Sequence, residues 1–187
     1  MYPAAYGIAL AVLVSWFVSA AVLDQSLLAT QRSRDLMTIG AADGALFTTH
    51  EWWRLITSQY LHVHFLHMLF NVACIAIVGA AVEQAFRWQG LLIVYVGGGT
   101  AGQFASVMAL PQLVSSGASQ ALMALCAAAL LISRPRIRFV ALAIIAVQVA
   151  LDLYVSGAIK IGHSIGFLAG LVITLGVLWV ARRRKPN

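Results

Sequence analysis

Charged side chains are scarce in this chain. Only 10% of its 187 residues are Asp, Glu, Lys or Arg, whereas 61% are hydrophobic. The apolar runs are too long and too frequent for the core of one soluble domain to bury them. The shortage of charge therefore excludes a soluble globular fold and indicates an integral membrane protein.

Cysteine is rare as well, and acidic residues are outnumbered. Both cysteines, Cys74 and Cys126, fall inside apolar runs, where small packing residues are more typical than disulfides or metal ligands. The net charge of +6 comes from basic residues at the ends of apolar segments, so orientation in a bilayer explains it better than a nucleic-acid partner. We expect no nucleic acid, metal or cofactor. The first apolar run lacks a preceding basic flank and a cleavage site, which favours a retained helix over a signal peptide.

The apolar segments predict an all-α integral membrane protein with six transmembrane helices. Each segment is long enough or apolar enough to count as a crossing. We detect no repeat and no second domain, so residues 1–187 are predicted to form one six-helix domain. The segments are 6–23, 59–82, 91–110, 119–133, 137–155 and 163–181.

Basic residues predict the orientation of these crossings. An even number of crossings puts both termini on one side, and eight basic residues share that side against four on the other. Lys and Arg favour the cytoplasmic side, so both termini are predicted to be cytoplasmic and residues 24–58 to form an outer loop. The eight are Arg87, Arg134, Arg136, Arg138, Arg182, Arg183, Arg184 and Lys185, and the four are Arg32, Arg34, Arg54 and Lys160. Trp52 and Trp53, beside Arg54, are predicted to anchor the loop at the interface, as simple belt aromatics or with a functional role.

This orientation brings several polar residues to one depth. Ser119 opens segment four, His163 opens segment six, and His67 and Asn71 share one face of segment two. Segment four has 15 residues, about 22 Å of helix, which is shorter than the roughly 30 Å bilayer core. Its first turn is therefore predicted to lie below the outer surface, in an enclosed aqueous pocket reached by the stretch PQLVSSGA.

These side chains can support nucleophilic catalysis. A serine hydroxyl needs a base to take its proton, and His163 is the histidine at matching depth on another helix. The amides that open segment four favour negative charge, and His67 and Asn71 could add donors to an oxyanion hole. Alternatively, Ser119 could bond to its own helix, and His67 and Asn71 could join helices.

Other polar residues have simpler interpretations. His62 and His64 are expected to be solvated near the interface, and His50 is a loop residue. Glu83 and Asp152 end segments two and five, where structural hydrogen bonds are more typical than catalysis. Small-residue spacings, Gly98 to Gly102 and Gly166 to Gly170, would permit close helix packing.

Taken together, the motifs resemble the rhomboid intramembrane serine proteases. The resemblance covers most of the chain and rests on WWR at 52–54, on His62, His67 and Asn71, on Gly79 and Glu83, on Gly117-Ala118-Ser119, and on Gly162-His163 with Gly166 and Gly170. It implies a six-helix rhomboid bundle with Ser119 as nucleophile and His163 as general base and then acid. It also implies His67, Asn71 and the Ser119 amide as oxyanion donors, with no third acid. Two positions depart from the family pattern: Gln120 replaces a glycine, and Met123 replaces a frequent aromatic.

The resemblance implies an endopeptidase that cleaves peptide bonds in or next to transmembrane segments of membrane protein substrates within the lipid bilayer. We expect substrates to enter laterally near segments two and five, and the compact chain suggests a bacterial inner membrane with the active site open to the outer side. Three alternatives stay open. They are a catalytically silent rhomboid-like protein that binds membrane clients, a small transporter, and, within the enzyme class, a rhombosortase that processes sorting tails.

Overall fold

The computed structural model describes residues 2–158 and 160–183, and within them every regular element is a helix. Arg184 and Lys185, counted above among the inner basic residues, lie outside this part. The helices are α1 (Pro3–Val22), α2 (Ser33–Thr38), α3 (Leu46–Thr49), α4 (Arg54–Thr57), α5 (Phe65–Cys74), α6 (Ala80–Ala109), α7 (Ser119–Ile132), α8 (Pro135–Ser156) and α9 (Ile161–Arg183). A π-helical turn, Ile75–Gly79, joins α5 to α6.

Four helical runs of the described chain are long and apolar enough to cross a membrane. They are Pro3–Val22, Phe65–Ala109, Pro135–Ser156 and Ile161–Arg183. The second has 45 residues, about 68 Å of helix, which is more than twice a bilayer core. Its backbone leaves helical geometry at Arg87, with φ 62° and ψ 179°. The predicted segments 59–82 and 91–110 fall on either side of this break, and the count of six crossings stays a prediction.

The predicted start of segment two was wrong. The helix begins at Phe65, and residues 59–64 are irregular. Hydropathy placed these residues in the helix because it measures side-chain character, and Leu61 is indeed buried, in a small cluster with Leu36 and Ala41. Leu36 and Ala41 belong to the 24–58 loop, so Leu61 is buried by packing against that loop and not by helix formation.

Helix α7 is short and enclosed. Its 14 residues make about 21 Å of helix, and each of the first eleven is buried. Glycines let α6 and α9 approach it: a Cβ at Gly102 would lie 2.6 Å from the Gln120 Cβ, and one at Gly170 would lie 2.5 Å from the Ala124 Cα. A Cβ at Gly98 would meet the Ala124 Cβ, and one at Gly166 would meet the Gln120 carbonyl. The predicted close packing at both glycine pairs is confirmed.

The 24–58 loop, predicted to be the outer loop, is hydrogen-bonded to the loop that precedes α7. Ala42 and Ser115 exchange two backbone hydrogen bonds of 3.2 and 2.7 Å. Arg54 Nη1 donates to the carbonyls of Met37 (2.6 Å) and Ala41 (3.0 Å), which fixes the neighbouring stretch of the outer loop. The side chains of Trp52 and Trp53 stay exposed, as the prediction of an interfacial anchor requires.

Glu83 fixes the first helix. Its carboxylate accepts hydrogen bonds from the amides of Ala4 (3.3 Å) and Ala5 (2.8 Å) in the first turn of α1. These amides have no partner within their own helix, and an acidic group is favoured at a helix N-terminus. The predicted structural role of Glu83 is confirmed.

Candidate active site

Ser119 is the first residue of α7, and the chain turns sharply to reach it. Gly117 has a φ of +115°, a left-handed conformation that favours glycine. Its amide donates to the Ser58 carbonyl at 2.9 Å, and its carbonyl accepts from Gln103 Nε2 at 3.0 Å. Both bonds hold the turn, so the Ser119 side chain is set in a fixed position with only 4% of its surface exposed.

His163 lies beside Ser119 although 44 residues separate them in sequence. The distance from His163 Nε2 to Ser119 Oγ is 2.8 Å, within hydrogen-bonding range. His163 belongs to the first turn of α9, and 3% of its surface is exposed. The packing of α7 against α9 therefore brings together a hydroxyl and an imidazole in a site shielded from bulk water.

For Asp152 the sequence made a structural hydrogen bond more typical than a part in catalysis. Its carboxylate Oδ2 lies 2.7 Å from His163 Nδ1, and 1% of the residue is exposed. It also accepts from the Lys160 backbone amide at 3.1 Å and from Gln148 Nε2 at 3.2 Å. The expected hydrogen bond exists, but its partner is the imidazole that contacts Ser119. The three side chains form a line that the resemblance alone did not predict.

His62 was predicted to be solvated, and this prediction was wrong. The residue is 1% exposed, and its Nε2 accepts a hydrogen bond of 3.1 Å from the amide of Ala118, next to Ser119. Its Nδ1 lies 3.4 Å from the Tyr60 carbonyl and donates to it. His62 precedes the spanning helix, and burial lowers the pKa of its imidazole to about 3, with His67 adding to the effect. A neutral ring can accept a hydrogen bond from the Ala118 amide, so His62 helps to fix the turn that leads to Ser119.

His67 and Asn71 lie on one face of α5, as predicted. Asn71 is fully buried, and its Nδ2 donates to the His67 carbonyl at 2.8 Å. The rings of His67 and His62 are 6.0 Å apart, so this face of α5 is next to the turn that leads to Ser119. His64 is exposed and contacts Thr30 Oγ1 at 3.2 Å, and His50 is exposed on the outer loop, in agreement with the expectations for both.

Gln120 offers the serine a second partner. Its Oε1 lies 3.3 Å from Ser119 Oγ and 3.5 Å from Gln103 Nε2. Gln103 Oε1 in turn accepts from Ser115 Oγ at 2.5 Å. A hydroxyl has one proton, so Ser119 can donate it to His163 or to Gln120 but not to both. Met123, the other departure from the family pattern, is buried one turn further along α7.

Comparison with known proteins identifies the family. A family model described as the Rhomboid domain matches residues 49–180, well over half of the chain. Rhomboid protease GluP of Bacillus subtilis (strain 168) is 37% identical over 87 residues, which are 46% of this chain and 17% of that protein. RHOMBOID-like protein 7 of Arabidopsis thaliana is 35% identical over 99 residues, 52% of this chain and 32% of the relative.

A third relative, Rhomboid-like protease 3 of Toxoplasma gondii, is 31% identical over 88 residues, 47% of this chain and 34% of that protein. The chain thus matches about a third or less of the length of each of these relatives. The matched region contains the serine, the histidine, all of α7 and α9 as far as residue 180. On this evidence the chain belongs to the rhomboid family.

Proposed function

We propose that this protein is an intramembrane serine endopeptidase that uses Ser119 and His163 to hydrolyse peptide bonds in or next to the transmembrane segments of its substrates. The observation that carries the proposal is the 2.8 Å contact between Ser119 Oγ and His163 Nε2 at the buried start of α7. Rhomboid membership and the names of the relatives support a protease-type function.

The reaction begins with a proton transfer. His163 Nε2 takes the Ser119 hydroxyl proton as the oxygen attacks the carbonyl carbon of the scissile bond. The tetrahedral intermediate collapses when His163 returns the proton to the leaving amine, and an acyl-enzyme ester remains on Ser119. Water then attacks the ester while His163 takes its proton. Transfer of that proton to Ser119 releases the carboxylic acid and restores the enzyme.

The negative oxygen of the intermediate needs donors. In the proposal these are the Ser119 amide, the His67 side chain and the Asn71 side chain. The Ser119 amide belongs to the first turn of α7, where backbone N–H groups lack partners in their own helix. The Asn71 amide carries two protons, so its bond to the His67 carbonyl leaves one to donate. Loss of one such donor typically costs about 2.7–4 kcal/mol of transition-state stabilisation.

The proposed topology has six crossings with both termini in the cytoplasm. The break at Arg87 supports two crossings within the 45-residue run, and the short α7 supports a serine below the outer membrane surface. The site would open to the outer side of a bacterial inner membrane. A substrate helix must unwind there, because helical amides are already hydrogen-bonded and hide the carbonyl from attack.

Fluorophosphonate labelling in detergent, together with cleavage of a model transmembrane substrate, tests the proposal. We expect wild type to label and to cleave, and Ser119→Ala and His163→Ala to lose both activities. Ser133→Ala is the matched control, because Ser133 directly follows the opposite end of the same helix, and we expect it to behave like wild type. Labelling that persists in Ser119→Ala would contradict the assignment of the nucleophile.

Gln120 favours a second candidate, a catalytically silent client-binding protein. Its Oε1 competes with His163 for the Ser119 proton, and it stands where the family pattern has glycine. If well-folded wild type neither labels nor cleaves, this candidate gains support. The silent candidate then predicts that Gln120→Gly, which removes the competing acceptor, restores labelling. If the protein is a protease, wild type should label without that substitution.

A further inference from the structure

Three hydrogen-bonding groups contact the carboxylate of Asp152. The His163 Nδ1, the Lys160 backbone amide and the Gln148 side-chain amide all lie within 3.2 Å of its two oxygens. The residue is 1% exposed and Gln148 is 3% exposed. A buried carboxylate is costly unless donors surround it. The Lys160 and Gln148 amides are donors here, and His163 Nδ1 is a third when it carries the ring proton.

The helix that carries Asp152 makes few other buried contacts. The buried residues described on α8 are Ala141, Ile144, Gln148 and Asp152, which follow one face at spacings of three and four. Its other faces are largely exposed, with Tyr154 at 89%. Gln148 and Asp152 are the polar residues of this buried face, and Asp152 lies beside His163.

We propose that Asp152 is a positioning residue for His163, so that the site works as a Ser119–His163–Asp152 triad; this inference rests on the proposed function. The imidazole donates its Nδ1 proton to the carboxylate, which leaves the Nε2 lone pair directed at Ser119 Oγ. When Nε2 takes the serine proton, the carboxylate stabilises the imidazolium. The carboxylate does not itself take the proton, so the proton path runs between Ser119, His163 and the leaving amine.

A merely structural role for Asp152 predicts different behaviour. Asp152 also accepts from the backbone at the start of α9, so it could serve only to join α8 to α9. In that case removal of the carboxylate would weaken the fold but would leave the imidazole tautomer and the chemical step alone. The two roles therefore differ in the protonation of His163 Nδ1 and in kcat.

Asp152→Ala tests the inference. Oδ2 lies within hydrogen-bonding distance of both the Lys160 amide and Nδ1, so an asparagine carbonyl in its place would keep both contacts, whereas alanine leaves Nδ1 without an acceptor. The loss of the acceptor favours the tautomer with the proton on Nε2, which removes the base from Ser119. We expect kcat for the model substrate to fall by about 10²–10⁴-fold with KM changed little. We expect the ¹⁵N NMR signals of His163, assigned by their absence in His163→Ala, to change from an Nδ1-protonated to an Nε2-protonated ring. Asp24→Asn, on an exposed outer-loop residue, is the matched control and should keep wild-type rates.

Three results separate this inference from the proposed function. A normal kcat and an unchanged tautomer in folded Asp152→Ala, with Ser119→Ala inactive, would overturn the triad and leave the protease intact. If Asp152→Ala does not fold, the wild-type spectrum decides alone, because a proton on Nε2 there would overturn the inference. If wild type does not cleave, the proposed function fails, whereas an Nδ1-protonated His163 that changes in Asp152→Ala would still support the positioning role.

Discussion

At the scale of single residues, His62 shows how a neutral histidine can accept a hydrogen bond from a buried backbone amide. The Ala118 amide stands at the entrance to α7 and is buried, and the His62 Nε2 is its acceptor. A protonated imidazole has no lone pair on Nε2 and could not accept this bond. Burial lowers the pKa of His62, and the neutral ring that results can hold the turn at Ser119 through this hydrogen bond.

The burial of His62 predicts a pH dependence of stability. Because folding lowers the pKa of His62 from 6.5 to about 3, the unfolded chain binds the extra proton between these values. The stabilisation is complete above pH 6.5 and is lost as the pH falls toward 3, by up to about 1.4 kcal/mol per pH unit. Thermal unfolding in detergent, measured from pH 7 to pH 4, should therefore show a steeper loss of Tm for wild type than for His62→Ala.

The same variant should be less stable at pH 7. Removal of the imidazole leaves the buried Ala118 amide without its acceptor, which typically costs about 1–3 kcal/mol. His64→Ala is the control, because His64 is exposed and should leave Tm nearly unchanged. Parallel pH profiles for His62→Ala and wild type would show that another group is responsible for the acid sensitivity.

At the scale of elements, the short helix α7 depends on how closely its neighbours approach. Gly170 of α9 meets the backbone of Ala124, and Gly102 of α6 meets the side chain of Gln120. Both contacts leave no room for a methyl group. The position of Ser119 is therefore set by the packing of three helices and not by the loop before it alone.

Two glycines on α9 give a matched test of this packing. Gly170→Ala would put its Cβ 2.5 Å from the Ala124 Cα and carbonyl oxygen, which are backbone atoms and cannot move independently. We expect a loss of about 1–3 kcal/mol and slower fluorophosphonate labelling. Gly176→Ala meets nothing within 4 Å and should retain or raise the Tm, because alanine is the better helix former. Equal effects of the two substitutions would contradict the packing argument.

At the scale of the whole molecule, the outer and inner loops are predicted to face opposite sides of the membrane. Ser26 lies in the outer loop after α1, and Gln89 lies just beyond the break at Arg87; both are exposed. In intact cells, an impermeant thiol reagent should modify Ser26→Cys and should reach Gln89→Cys only after permeabilisation. The native Cys74 and Cys126 are buried and should give little background. The opposite pattern would invert the proposed topology.

Much of the architecture could be predicted from the sequence because apolar length and glycine spacing are properties of the chain itself. The same reasoning brought Ser119 and His163 to one depth, and the structure puts them in contact. It missed the partnership of Asp152 with His163, because sequence position gives depth along a helix but not which face of α8 turns toward α9. It misjudged His62 because hydropathy cannot show that an irregular segment is buried by tertiary contacts, here beside Ala118.

The pairing of α7 with α9 has a consequence for biosynthesis. Ser119 leaves the ribosome 44 residues before His163, and Asp152 emerges between them. A chain in which α9 has not yet been made holds the serine hydroxyl without its base. The proposed hydrolytic activity would therefore begin only when α9 has entered the bilayer, so that a partly inserted chain cannot attack other nascent helices at the insertion machinery.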